Sequence, residues 1–253
     1  MQANSQFAKS LLRHRLGMFV QMVIMTVLTP PVPAMTALIS WSCASMTSRE
    51  RVKDYTFYGR LLAWHSSYFA AATDPAGGFK TSGEKVLELD GSHQVFDAFH
   101  CWVWTGRLKD PPASDAPIKD RYLPRKVLYD LWLFSDLRGI PSLGNSVLDM
   151  IHERLTSSWT SPSAIQFVYD NTMAESKLRA LIVDWYSMTT RSSETLRGHT
   201  TIDPTVDFLH AVYPRIAQQG RRQLSRAEMI KVDRCRWRDH SGPGGKLRLE
   251  SRK

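Results

Sequence analysis

Apolar positions from Glu50 onward recur mostly at helical spacing, with short alternating stretches between them. Arg51–Tyr58 alternates weakly and predicts a short strand. Leu61–Ala72 predicts one helix, with Leu61, Leu62, Tyr68 and Phe69 available for a single buried face. Asp74-Pro75 and Gly77-Gly78 break it. Val86–Leu89 predicts a strand, Asp90-Gly91-Ser92 a turn with Ser92 as N-cap, and Val95, Phe96, Phe99, Trp102 and Val103 a helix ending at Thr105-Gly106.

A Pro/Asp/Ser-rich loop is expected over Lys109–Ala116. Pro124 then opens a helix carrying Val127, Leu128, Leu131, Trp132, Phe134 and Leu137, because proline is tolerated in a first turn. Gly139-Ile140-Pro141 stops it, and Ser142 leads a helix through Leu143, Val147, Leu148, Ile151 and Leu155. Further amphipathic helices are predicted over Ser163–Tyr169, Lys177–Met188, Asp203–Val212 and Ala217–Arg234, with a polar linker at Thr189–Thr201. The Ser-Gly-Pro-Gly-Gly run after Arg238 predicts a flexible basic end.

Leu16–Leu28 is 13 residues and mostly apolar. A membrane-spanning helix needs about 20, so no stable membrane span is expected. Behind Lys9, Arg13 and Arg15 the run has the layout of a secretory signal, and loosely that of a mitochondrial presequence. The third reading, an irregular N-terminal extension, is preferred.

Charge sharpens the division. The net charge is +9, but residues 1–49 carry +4, residues 50–190 carry −2 and residues 191–253 carry +7. A near-neutral globular part is thus flanked by basic ends, and the Arg221–Lys253 end keeps open a nucleic-acid or chromatin-associated role as the alternative function. Three cysteines, Cys43, Cys101 and Cys235, without a C-x-x-C pair, argue against a disulfide framework and suit a cytoplasmic or nuclear protein.

Enzyme constellations are not evident. His65-Ser66 lacks a nucleophile elbow, and Gly139-Ile-Pro-Ser-Leu-Gly144 misses that pattern by one residue. Cys235 and His240 are two potential metal ligands where a structural zinc site usually takes four. No phosphate-binding glycine loop occurs, so no catalytic residue, cofactor or metal is expected. Trp102, Trp104, Trp132 and Trp185 lie in apolar helices and read as core; an exposed one would instead read as an interface anchor.

The order of local motifs resembles a family. Leu61-Leu62 followed by Ser67-Tyr68-Phe69, then Phe79-Lys80, Val86–Leu89, Val95-Phe96 and Trp104-Thr105-Gly106, resembles a BTB/POZ domain of the fungal type. Leu128-Tyr129, Asp136-Leu137, Ile140-Pro141-Ser142-Leu143 with Asn145, Val168–Thr172 and Asp233–Trp237 with His240 extend the resemblance from about Tyr55 to His240. It implies an α+β fold, a small sheet capped by a cluster of helices and followed by a helical C-terminal extension. The boundaries it implies are 1–50 for the extension, 51–157 for the domain, 158–240 for the helical extension and 241–253 for the basic tail.

It also implies a protein-interaction module that forms a homodimer and docks a protein partner, through helices around Phe79–Leu108 and Leu143–Leu155, and that extends to a cullin scaffold and a ubiquitin-ligase adaptor role. The interaction residues it points to are Arg60, Phe79, Lys80, Thr81 and Trp104. This chain departs from the family at three places. Gly59 stands for the usual His, Thr81 for a Glu associated with cullin binding, and the first strand has only Thr36–Trp41 as a candidate.

Overall fold

The structure, a computed structural model, describes residues 22–28, 38–44, 53–74, 89–90, 92–110, 118–157, 160–189, 206–219 and 223–241. Phe79, Lys80 and Thr81, most of the strand expected at Val86–Leu89, the 190–205 linker and the tail beyond Ser241 lie outside them. The chain divides into two compact units, 1–105 and 106–253.

In the first unit, strands β1 (Met22–Leu28), β2 (Leu38–Ala44), β3 (Lys53–Tyr58) and β4 (Leu89–Asp90) follow the order β3-β2-β1-β4. All pairings are antiparallel. β1 meets β2 from Met22↔Ala44 to Leu28↔Leu38, β2 meets β3 from Leu38↔Tyr58 to Cys43↔Lys53, and β4 adds only two pairs to β1. Helices α1 (Gly59–His65), α2 (Ser67–Thr73) and α3 (His93–Thr105) follow in the same unit. β1 thus occupies the apolar run read above as leader-like or irregular.

The single helix expected over Leu61–Ala72 is two. Ser66 is extended (φ −142, ψ 123), and its hydroxyl accepts from the Phe69 amide, so the side chain caps a new helix instead of continuing the old one. Among the described side chains of the unit, the buried set is rich in aromatics. Phe57 lies 5.4 Å from Phe99, Phe69 stacks on Phe99 at 6.2 Å, and Leu62, Phe96 and Leu89 close around them. Tyr55 is buried with its hydroxyl donating to Asp97 at 2.6 Å.

The second unit is helical among its described residues: α4 (Ile118–Arg121), α5 (Arg125–Leu137), α6 (Pro141–Ser157), α7 (Pro162–Asn171), α8 (Lys177–Thr189), α9 (Val206–Gln219), α10 (Arg226–Ile230) and a 3-10 turn, Arg234–Trp237. α5 ends in a paired closing motif: Gly139 (φ +58) donates to Asp136 and Ile140 donates to Ser135 at 2.8 Å. Helix α6 returns against α5 at close range, since a Cβ on Gly144 would sit 3.1 Å from the Ser135 hydroxyl. The inner face of α6, with Leu143, Val147, Ile151 and Leu155, is buried against the other helices. The helices expected over Asp203–Val212 and Ala217–Arg234 are recast: α9 runs through Pro214, and the chain restarts at Ser225 with a reciprocal Ser225–Glu228 capping box.

The expected α+β class is corrected. Where side chains are described the chain is 74% helix and 4% strand, which does not match a BTB/POZ fold built on a small sheet. Among the residues whose side chains are described, the strands contribute Tyr55, Phe57 and Leu89 to the buried apolar set, and helices and the turns between them contribute the rest. The second unit packs helix on helix with no strand among its described residues.

Candidate interaction surface

The sequence around the β3–α1 junction brings aromatic side chains outward. Along β3, Tyr55 and Phe57 face the core, so alternation turns Tyr58 outward once the strand passes into α1. On α3, Val95, Phe96, Phe99, Trp102 and Val103 are buried. His100 and Trp104, four residues apart, are therefore neighbours on a different face. The Trp104 indole donates to His100 Nε2 at 3.1 Å, which requires a lone pair on that nitrogen. Tyr58 meets Trp104 edge-on with ring centroids 5.2 Å apart. The His100 ring also touches the buried Phe57 and Tyr55 rings, at 5.2 and 5.6 Å.

Trp104 thus stands on the surface, 44% exposed, yet is held by a ring contact and a hydrogen bond. Arg60 is exposed and sits on α1, with Trp64, 55% exposed, one turn further along the same helix. His65, next to Trp64, meets the buried Trp102 edge-on at 4.9 Å, and burial pushes its pKa down. Of the residues expected to form an interaction surface, Arg60 and Trp104 are therefore outward-facing. Tyr58 and Trp64 join them. Their signal was the strand period at Tyr58 and the four-residue spacing from Arg60 to Trp64.

The other expected surface is not available. The Leu143–Leu155 apolar face is the interior of the second unit. Trp102, Trp132 and Trp185 are core residues.

The second unit holds a buried polar centre that the sequence did not announce. Asp184 on α8, 4% exposed, accepts from the Trp237 indole at 2.8 Å and from Arg236 at 3.0 Å, and also pairs with Arg215 of α9. Arg238 pairs with Asp149, and Arg234 reaches Glu153 at 3.2 Å. Four arginines of the basic 191–253 segment are thereby matched to carboxylates. Among the described residues no three metal-ligating side chains gather, and no helix is long and apolar enough to cross a membrane.

Searches against protein families, curated proteins and solved structures give no match to this chain.

Proposed function

We propose that this chain is a protein-docking module whose contact surface is the exposed aromatic group of Tyr58, Trp64 and Trp104 with Arg60. The observation that carries it is Trp104: a large apolar side chain kept at the surface and fixed there by Tyr58 and His100. A side chain already fixed loses little further rotamer freedom on binding. Tryptophan, tyrosine and arginine are also the side chains enriched where binding energy concentrates.

The first partner to test is a second copy, as the resemblance implies. A cullin scaffold, and with it an adaptor role, rests on the resemblance alone, and Thr81 stands where the family's cullin-associated Glu would be. A cytoplasmic or nuclear place rests on the cysteine pattern. The nucleic-acid alternative rests on the Arg221–Lys253 end, of which Arg234, Arg236 and Arg238 are already paired with carboxylates.

Sedimentation equilibrium of the full chain tests the proposal. A concentration-dependent rise toward twice the chain mass is expected. Trp104→Ala should weaken it by about 30-fold, the equivalent of a truncated hot spot of about 2 kcal/mol. A single-chain mass at every concentration would sink self-association, and a wild-type-like dimer in Trp104→Ala would remove this surface from it.

A further inference from the structure

The segment Asp233–Ser241 is bound to the second unit by side chains rather than by a strand ladder. Arg234 reaches Glu153 at 3.2 Å and Asp149 at 3.7 Å, Arg236 reaches Asp184, and Arg238 pairs with Asp149. Asn145 of α6 exchanges two hydrogen bonds with the Asp239 backbone, both 2.8 Å. Trp237 is the one buried residue of this strap.

Beneath it lies His152 of α6, 1% exposed, between the Trp185 ring, edge-on at 5.3 Å, and the Trp237 ring at 5.3 Å. Neither of its ring nitrogens makes a hydrogen bond. A neutral imidazole suits this place, whereas an imidazolium would be a buried charge without a hydrogen-bonded partner.

We propose that the strap is an acid-released latch: protonation of His152 between the Trp185 and Trp237 indoles drives Trp237 out and frees Asp233–Ser241 from α6 and α8. Groups of both signs surround His152. Its own helix brings Asp149 and Glu153. The strap brings Arg234, Arg236 and Arg238. Helix α8 brings Asp184, already matched to Arg215, Arg236 and Trp237, and α10 brings the Met229 backbone.

Burial dominates and Arg234 adds to it, while the Met229 backbone, outside hydrogen-bonding geometry, and Asp149 oppose. The balance lowers the imidazole from 6.5 to about 4. A base whose pKa is depressed in the closed state favours closure fully above 6.5. The preference fades as the pH falls from 6.5 toward 4. Between pH about 7.5 and about 5 the closed-to-open ratio should fall by about 30-fold.

Hydrogen exchange of the 233–241 amides in the full chain, corrected for the intrinsic pH dependence of exchange, reads the opening directly. The wild type should open about 30-fold more at the lower pH, and His152→Phe, which fills the space without titrating, should show little change. Unchanged wild-type protection overturns the latch, as does an equal response in His152→Phe. Should that variant not fold, the His152 ring can be titrated by NMR in the wild type. A ring pKa below about 5 with strap exchange rising as the pH falls below 6.5 supports the latch; a pKa near 6.5 with the strap still protected refutes it.

Discussion

Asp184→Ala removes the acceptor on which three donors converge. The cost can be built from the geometry. The Trp237 indole N–H is buried and loses a 2.8 Å bond, which costs about 1–3 kcal/mol as an orphaned buried donor. Arg215 and Arg236 have side chains 43% and 44% exposed, so each can turn to water when its carboxylate goes; their share is that of screened surface pairs, about 0–1 kcal/mol apiece. The sum is about 1–5 kcal/mol, short of the cost of stranding two fully buried cations. Asp184→Asn keeps the shape and an acceptor for Trp237 and gives up the charge, so about 1–2 kcal/mol is expected. Urea unfolding of both variants, followed by circular dichroism, measures the difference through the transition midpoints. A loss below about 1 kcal/mol in Asp184→Ala would refute the claim that this carboxylate organises the unit. Asparagine and alanine costing the same would show that the Trp237 bond is not the main term.

Two further variants test neighbouring parts of the same unit. Gly139→Ala places a Cβ on a left-handed residue (φ +58) at the end of α5 and should cost about 1–2 kcal/mol in the same unfolding assay; a neutral result would mean that the turn relaxes without strain. Asn145→Ala removes both hydrogen bonds to Asp239 and should raise hydrogen exchange across 233–241 several-fold while lowering global stability by about 1–2 kcal/mol; exchange raised equally in α5 and α8 would show that the strap is not an independently opening element.

The helices of the second unit were legible because their apolar positions repeat at 3.6 residues and their ends are marked. Lys177–Thr189 and Pro141–Ser157 extend within two residues of the expected spans, and Gly139 ends α5 where its sequence suggests. What misled was punctuation. The expected spans part between Val212 and Ala217, around Pro214, yet the residue that Pro214 deprives of a hydrogen bond, His210, is exposed and its carbonyl can turn to water, so α9 continues. The true restart carried a signal in plain view, Ser225-Arg226-Ala227-Glu228, the spacing of a capping box. Ser66 did the opposite, ending a helix at a position whose hydrophobic pattern runs on. The fold class failed for a different reason. Motif order was read as a sheet with helical caps, but short alternating runs state only that a strand can form, and among the described side chains the helices supply most of the buried ones.

The candidate surface was half legible for a reason that also explains the charge. A tryptophan in an apolar helix can face either way, and the difference between Trp102 and Trp104 is two residues, about half a turn. Exposure follows from where the other apolar residues of α3 fall, which the sequence does show once Phe96, Phe99 and Val103 are placed inward. Charge has no such internal guide. The +7 of residues 191–253 looks like a cationic surface when counted along the chain. In space, Arg215, Arg234, Arg236 and Arg238 meet Asp184, Asp149 and Glu153, two of the three carboxylates lying more than 80 residues from the arginines they bind. Those pairs are non-local, so no window of sequence contains them. They turn part of an apparent polyanion-binding tail into the means by which the chain closes on itself, and they place its ionic attachments around the uncharged ring of His152.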